Sequence, residues 1–150
     1  MYKNYIKRLF GIVFGLVTLP VLLITIIIVG SIIYIDDPGP IFYVSKRVGK
    51  NGKIFNMLKF RSMKVNSPNI LNSDGSTFNS ETDKRQTRVG RIIRKLSIDE
   101  LPQILNVLKG DMAWIGPRPV LDSQLDSFTD EEKQKLEVLP GITGYTQAYN

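Results

Sequence analysis

Two neighbouring carboxylates, Asp99 and Glu100, are the residues of this chain best suited to chemistry. They follow three cations within residues 91–95, and Arg118 lies a short distance later between two prolines. Guanidinium groups bind phosphate in a bidentate manner, and carboxylates bind divalent metals. This arrangement therefore suits a diphosphate, a divalent metal and an acidic nucleophile at one place.

The same carboxylates also fit a plain structural interpretation. Ser97 and Glu100 have capping-box spacing, and apolar residues at 101, 104, 105 and 108 have helical spacing. The pattern predicts a helix that Gly110 ends, with both carboxylates in its first turn. Negative charge is favoured at that end of a helix. Taken alone, these residues are more typical of a helix cap than of an active site.

Further cations have the spacing to line the same cleft. Apolar residues at 89, 92, 93 and 96 predict a helix that carries Arg94 just before the carboxylates. Lys59 and Arg61 alternate around Phe60, as side chains on one face of a strand do. Each of these cations fits a solvated surface as well as a phosphate site.

The composition excludes several kinds of chemistry. The chain of 150 residues contains no Cys and no His, so disulfides, Cys or His zinc sites and Ser-His-Asp triads are ruled out. The net charge is +10 over residues 1–118 and −4 over residues 119–150. Basic charge beside an apolar anchor suits anionic lipid and phosphorylated substrates. No nucleic-acid-binding motif accompanies the charge, so nucleic acid is not expected as a partner.

Residues 9–35 form an uncharged segment of 27 residues, which is long enough to cross a bilayer. Pro20 near its middle removes one helical hydrogen bond, so we expect the helix to bend there. Cations flank the segment on both sides, and the positive-inside rule therefore gives no orientation. Physics alone favours a kinked spanning helix over one that bends at Pro20 and leaves by the same face.

The remaining chain, residues 37–150, predicts one small α/β domain, mostly helical. Strands over 41–44 and 54–60 form a hairpin around a turn at 49–52. Polar residues at 66–83 predict a mobile loop, residues 129–137 an acidic helix, and residues 140–144 a turn-rich loop.

Five motifs, in this order, closely resemble the bacterial sugar transferase family. These are monotopic polyprenyl-phosphate phosphoglycosyl transferases, which initiate the assembly of capsule, exopolysaccharide and glycoprotein glycans. The motifs are KFRSM at 59–63, RKLSIDELPQ at 94–103, NVLKGDM at 106–112, GPRP at 116–119 and PGITG at 140–144.

The resemblance implies a reaction and the residues that perform it. A sugar phosphate would pass from a UDP-sugar to undecaprenyl phosphate with release of UMP, and magnesium would be the cofactor. Asp99 would be the nucleophile that forms an aspartyl phosphosugar, and Glu100, together with Asp99, would hold the metal. The implied ligands of the substrate phosphates or the nucleotide are Lys59, Arg61, Arg94 and Arg118.

The resemblance also implies a location in the bacterial inner membrane, with the catalytic domain on the cytoplasmic face. Residues 1–36 would form a re-entrant helix broken at Pro20, although Leu19 stands where the family has Ser. Membrane lipid would be a partner, and a homo-oligomer and downstream glycosyltransferases are further candidates. This interpretation replaces the spanning helix.

One departure from the family supports an alternative. The family continues past the motif at 140–144, whereas this sequence ends at Asn150, so the domain over 37–150 is expected to be C-terminally shortened. The alternative is a catalytically incompetent, membrane-anchored module that binds a nucleotide-sugar or a partner. The retention of Asp99 and Glu100 argues against it.

Overall fold

The computed structural model describes residues 2–73, 78, 80 and 82–144. These residues contain four α-helices and four strands, together with 3₁₀ turns. In order they are α1 (Tyr2–Asp36), β1 (Phe42–Val48), β2 (Ile54–Phe60), α2 (Arg88–Lys95), α3 (Gln103–Lys109), β3 (Ala113–Ile115), α4 (Asp130–Lys133) and β4 (Gly141–Thr143). The predicted α/β class is confirmed.

Helix α1 contains the apolar segment and is not interrupted at Pro20. Thr18 donates its hydroxyl hydrogen to the carbonyl oxygen of Phe14 at 2.9 Å, with Gly15 as a second acceptor at 3.1 Å. Proline removes one donor only, so helical backbone continues on both sides of it. Within the described residues, one helix is long and apolar enough to cross a membrane by length and composition. The bend at Pro20 stays a prediction.

The first third of α1 packs against α3 and β3. Phe14 meets Trp114 edge to face with ring centroids 4.7 Å apart, and the Trp114 indole nitrogen donates to the Gly11 carbonyl at 3.2 Å. Arg8 donates to the carbonyl oxygens of Val107 and Leu108 at the end of α3. A guanidinium at this end satisfies carbonyls that have no helical partner.

The last third of α1 packs against β2 and α2. Ile33 is buried in one cluster with Phe60 and Ile93. Asp36 accepts a hydrogen bond from the backbone nitrogen of Val89 at 3.0 Å, at the start of α2. Both ends of the apolar helix therefore contact the same domain.

The predicted hairpin is confirmed, and its first strand is longer than expected. β1 and β2 are antiparallel, with Phe42 opposite Phe60 and Val48 opposite Ile54. The polar residues 45–47 hid the second half of β1, because they interrupt the apolar run. Val48 is nevertheless fully buried, and its backbone nitrogen donates to the Val120 carbonyl at 2.9 Å.

The prediction of a turn-rich loop at 140–144 is wrong. Residues Gly141–Thr143 form strand β4, which pairs in parallel with β3. Gly116 donates to the Thr143 carbonyl at 3.0 Å and lies so close to Gly141 that a Cβ on either residue would meet the other backbone. Glycine here serves close backbone approach within a small sheet rather than a turn.

The acidic helix is confirmed near its predicted place. Thr129 caps α4 through a capping box with Glu132, and a 3₁₀ turn, Gln134–Glu137, continues it. The predicted mobile loop at 66–83 includes residues outside the described ones, so its mobility stays a prediction. At its described end, Asp83 binds Arg85 at 2.6 Å, and Arg85 donates to the Pro68 carbonyl at 2.8 Å.

Candidate active site

The carboxylates lie on a 3₁₀ turn, Ile98–Glu100, and not in the first turn of an α-helix. The predicted capping box is wrong: Ser97 has left-handed backbone, with φ of 56°, and its side chain makes no capping hydrogen bond. Helix α3 begins only at Gln103, after Pro102. Glu100 therefore does not take part in a capping box, and its side chain extends to β2.

Lys59 on β2 binds this carboxylate. Its Nζ lies 2.7 Å from Glu100 Oε1, and the two side chains are 18% and 21% exposed. At that exposure water still screens the pair, so its geometry matters more than its contribution to stability. Lys59 holds one carboxylate oxygen and fixes the rotamer of Glu100.

Strand β2 is held in place by a buried side chain on α3. Asn106 is 2% exposed; its Nδ2 donates to the Asn56 carbonyl at 2.7 Å, and its Oδ1 accepts from the Leu58 nitrogen at 3.0 Å. The amide thus bonds the free edge of β2 as a neighbouring strand would. It therefore fixes the position of Lys59, which follows Leu58 on β2.

Asp99 is buried, at 7% exposure. Desolvation raises the pKa of this carboxyl, and the negative charge of Glu100 raises it further. The cations Lys59 and Arg94 lower it, but burial wins. A carboxylate held in so little water is a stronger nucleophile and base than an exposed one, provided that it is ionised.

Three of the predicted residues line one pocket: Lys59, Glu100 and Arg118. Arg118 enters from the loop after β3, where Pro117 and Pro119 restrict the backbone. Asp99 is the neighbour of Glu100 along the chain, and Arg94 lies near enough to affect its pKa. The lining residues within the described part of the chain are Arg47, Met57, Lys59, Glu100, Gln103, Arg118, Pro119, Gly141 and Ile142.

Arg61 lies elsewhere. Its Nη1 binds Asp37 Oδ2 at 2.8 Å, and its Nη2 donates to the Asp37 carbonyl oxygen. The same carboxylate oxygen accepts from the Val65 nitrogen at 2.9 Å. Arg61 therefore joins the end of α1 to the domain and is not among the residues that line the pocket, so a role in phosphate binding stays a prediction.

Two lining residues, Arg47 and Gln103, were missed as site residues. The sequence marks Arg47 only as one of the cations that follow the apolar segment. Recognising the full length of β1 would have placed it on a strand that pairs with the strand of Lys59. Gln103 stands three residues after Glu100, a spacing that brings two side chains near each other on a helical turn.

The acidic residues can be tested for a metal. Among the described residues, no group of three or more Asp, Glu, His or Cys side chains converges to hold one. Magnesium is commonly bound by one or two carboxylates together with substrate phosphates and water. Asp99 and Glu100, beside a cationic pocket, fit that mode of binding and do not form an all-protein cage.

The whole described chain matches a known family. The bacterial sugar transferase family matches residues 2–150, and the chain belongs to that family. It is 41% identical over 146 residues, 95% of its length, to the UDP-N-acetylgalactosamine-undecaprenyl-phosphate N-acetylgalactosaminephosphotransferase of Aeromonas hydrophila. It is 40% identical over 161 residues, 97% of its length, to the undecaprenyl-phosphate galactose phosphotransferase of Salmonella typhimurium.

These relatives are longer proteins. The chain spans 34% of the Aeromonas protein and 33% of the Salmonella protein. It spans 67% of a third relative, the uncharacterized sugar transferase EpsL of Bacillus subtilis, with 40% identity over 142 residues. The predicted family is thus confirmed, and the names of two relatives specify the lipid phosphate on which they act.

Proposed function

We propose that this chain is a phosphoglycosyl transferase that moves a sugar-1-phosphate from a UDP-sugar to undecaprenyl phosphate, as the first membrane step of capsule or exopolysaccharide assembly. The observation that carries the proposal is the convergence of Lys59, Glu100 and Arg118 on one pocket beside the buried Asp99. The named activities of the two relatives support the same reaction.

The reaction would proceed in two steps. An Asp99 carboxylate oxygen attacks the sugar-linked phosphorus and forms a P–O bond, while the bond from that phosphorus to the bridging oxygen breaks. UMP leaves with the electron pair. A phosphate oxygen of undecaprenyl phosphate then attacks the same phosphorus, and Asp99 departs as a carboxylate. A covalent intermediate suits this case, since a soluble and a lipidic substrate need not be bound together.

The surroundings of Asp99 suit that role. The nucleophile must be ionised, although burial raises the pKa of its carboxyl. Lys59 and Arg94 oppose that shift, so these cations keep the buried group usable. Glu100, with Asp99, would hold magnesium, which supplies positive charge to the diphosphate when bound.

The apolar helix suggests how the domain meets the bilayer. Arg8 and Asp36, near the two ends of α1, both bond to the same domain. A helix that carried its two ends to opposite faces would separate one of these contacts from the domain. This supports a re-entrant helix, and membership of the family suggests that the pocket lies on the cytoplasmic side of the inner membrane.

The first experiment measures UMP release by the detergent-solubilised protein, with magnesium, undecaprenyl phosphate and a panel of UDP-sugars. We expect release with at least one sugar and its loss in Asp99→Asn. Asp122→Asn is the matched control, because it makes the same chemical change outside the pocket lining.

A second readout tests the intermediate. Incubation with the UDP-sugar alone, without lipid acceptor, should add a sugar phosphate to the peptide that contains Asp99, as detected by mass spectrometry. Release that persists in Asp99→Asn would refute the assigned nucleophile. Binding of UDP-sugars without any UMP release in the wild type would favour the membrane-anchored binding module instead.

A further inference from the structure

Arg47 shares a pocket with Arg118 although the two residues are far apart in sequence. A backbone hydrogen bond connects their two segments: the Val48 nitrogen donates to the Val120 carbonyl oxygen at 2.9 Å. This bond holds the end of β1 against the segment that follows the Pro117–Pro119 loop. Both guanidinium side chains consequently line the pocket.

The pocket lining carries more positive than negative charge. Among the described lining residues, the cations are Arg47, Lys59 and Arg118, and the one carboxylate is Glu100. Lys59 already binds that carboxylate at 2.7 Å. Burial lowers the pKa of the Arg47 guanidinium, and repulsion by Arg118 lowers it further. Two like charges that repel each other in one pocket are stabilised by an anion bound between them.

Gln103 adds a polar side chain to the same pocket. It is 2% exposed and lines the pocket. An amide that faces a cationic pocket can donate to a phosphate oxygen or a sugar hydroxyl.

We infer that Arg47 and Arg118 together hold the phosphate of the departing nucleotide, which makes Arg47 a further substrate-binding residue. This inference rests on the proposed function. Lys59 and Glu100 stand beside Asp99, where the sugar-linked phosphorus is attacked. Arg47 and Arg118 line the same pocket, where the other phosphate of the substrate would lie. When the bond to the bridging oxygen breaks, its electron pair and negative charge pass to UMP, where two guanidinium forks stabilise them.

The test is UMP binding, measured by titration calorimetry on the full detergent-solubilised chain. Arg47→Gln should weaken UMP binding by about 10–100-fold, the range for one charge-assisted contact. Uridine, which lacks the phosphate, should bind the variant and the wild type equally. Lys46→Gln is the matched control, because this exposed neighbour points to the other face of β1. Its UMP affinity should stay within about twofold of the wild type.

Arg47→Lys keeps the positive charge and loses the planar guanidinium fork. Its UMP affinity should therefore lie between those of the wild type and Arg47→Gln. If Arg47→Gln fails to fold, as judged by its thermal transition, this variant decides. Weakening of about threefold or more supports the inference, and unchanged affinity overturns it. If Arg47→Gln folds and binds UMP as tightly as the wild type, the inference is also overturned. The proposed function stands in that case, provided that UMP release still requires Asp99. A wild type that neither binds nor releases UMP overturns the proposed function as well.

Discussion

Asn106→Ala tests whether a single amide holds strand β2, and with it Lys59, against α3. The substitution removes two hydrogen bonds of 2.7 and 3.0 Å and leaves the Asn56 carbonyl and Leu58 nitrogen without a protein partner. Each unpaired buried group costs about 1–3 kcal/mol. Both groups lie at the edge of the hairpin, where water relieves part of that cost. The expected loss of stability is therefore about 2–4 kcal/mol.

Urea unfolding of the solubilised protein, followed by tryptophan fluorescence, measures this loss. At a typical slope the midpoint should fall by about 1–2 M. Asn56→Ala is the control, because it removes an exposed amide from the same strand but keeps the backbone carbonyl; it should cost less than about 0.5 kcal/mol. Equal midpoints for Asn106→Ala and the wild type would refute the reasoning.

Asn106→Asp separates the two hydrogen bonds. An ionised aspartate still accepts from the Leu58 nitrogen but presents a second oxygen to the Asn56 carbonyl, which donates nothing. This variant should be at least as unstable as Asn106→Ala at neutral pH. Protonation restores a donor, so it should regain stability relative to Asn106→Ala as the pH falls. Parallel pH dependences of the two variants would argue against this geometry.

Three further predictions concern charge and close contact. Lys59→Met removes a cation that lowers the pKa of Asp99, so the acid limb of the kcat–pH profile should move to higher pH. Gly90→Ala would place a Cβ against the Ser62 backbone carbonyl, and the free energy of unfolding, measured in urea, should fall by about 4 kcal/mol or more. The pKa of Asp83 is lowered to about 2. Because its folded pKa lies below the unfolded value, its stabilisation is present above about pH 4 and lost towards pH 2, and Asp83→Asn should flatten that acid limb of stability.

Each of these changes has a matched control. Lys53→Met removes a lysine that does not line the pocket and should leave the pH profile in place. In Gly15→Ala the new Cβ lies 2.6 Å from Leu108 Cδ2, the end of a flexible side chain that can turn away, so the loss should be small. Asp122→Asn should keep the acid dependence of stability. A control that behaves like its partner variant would contradict the corresponding explanation.

The hairpin could be predicted because its signals are local. Strand β2 was located over its full length from one apolar run and the glycines of the preceding turn. The pairing of β3 with β4 could not be predicted. These strands are three residues long, parallel and separated by more than 20 residues. No local periodicity marks so short a strand, and only the close approach of Gly116 and Gly141 requires the glycines there.

The candidate site shows where the alternation of side chains along a strand no longer applies. Lys59 and Arg61 were expected to share one face because they stand two residues apart. Strand β2 ends at Phe60, so the rule does not extend to Arg61, which turns to Asp37. Likewise, Ser97 and Glu100 had the right spacing for a capping box. The left-handed backbone of Ser97 prevented it, and the contact of Glu100 with Lys59, 41 residues away in sequence, took its place.

Helix α3 connects the apolar helix α1 to the pocket. Two consecutive α3 residues face different partners: Asn106 bonds to β2, whereas the Val107 carbonyl accepts from Arg8 on α1. The proposed transfer to a lipid phosphate would need its nucleophile at a fixed distance from the bilayer, since misplacement by about 1 Å can cost two orders of magnitude in rate. Helix α3 has seven residues and bonds to both α1 and β2. It is short enough to keep the distance between them fixed with little bending. The buried amide of Asn106 thereby relates the position of Lys59, and through it Glu100, to the apolar helix α1.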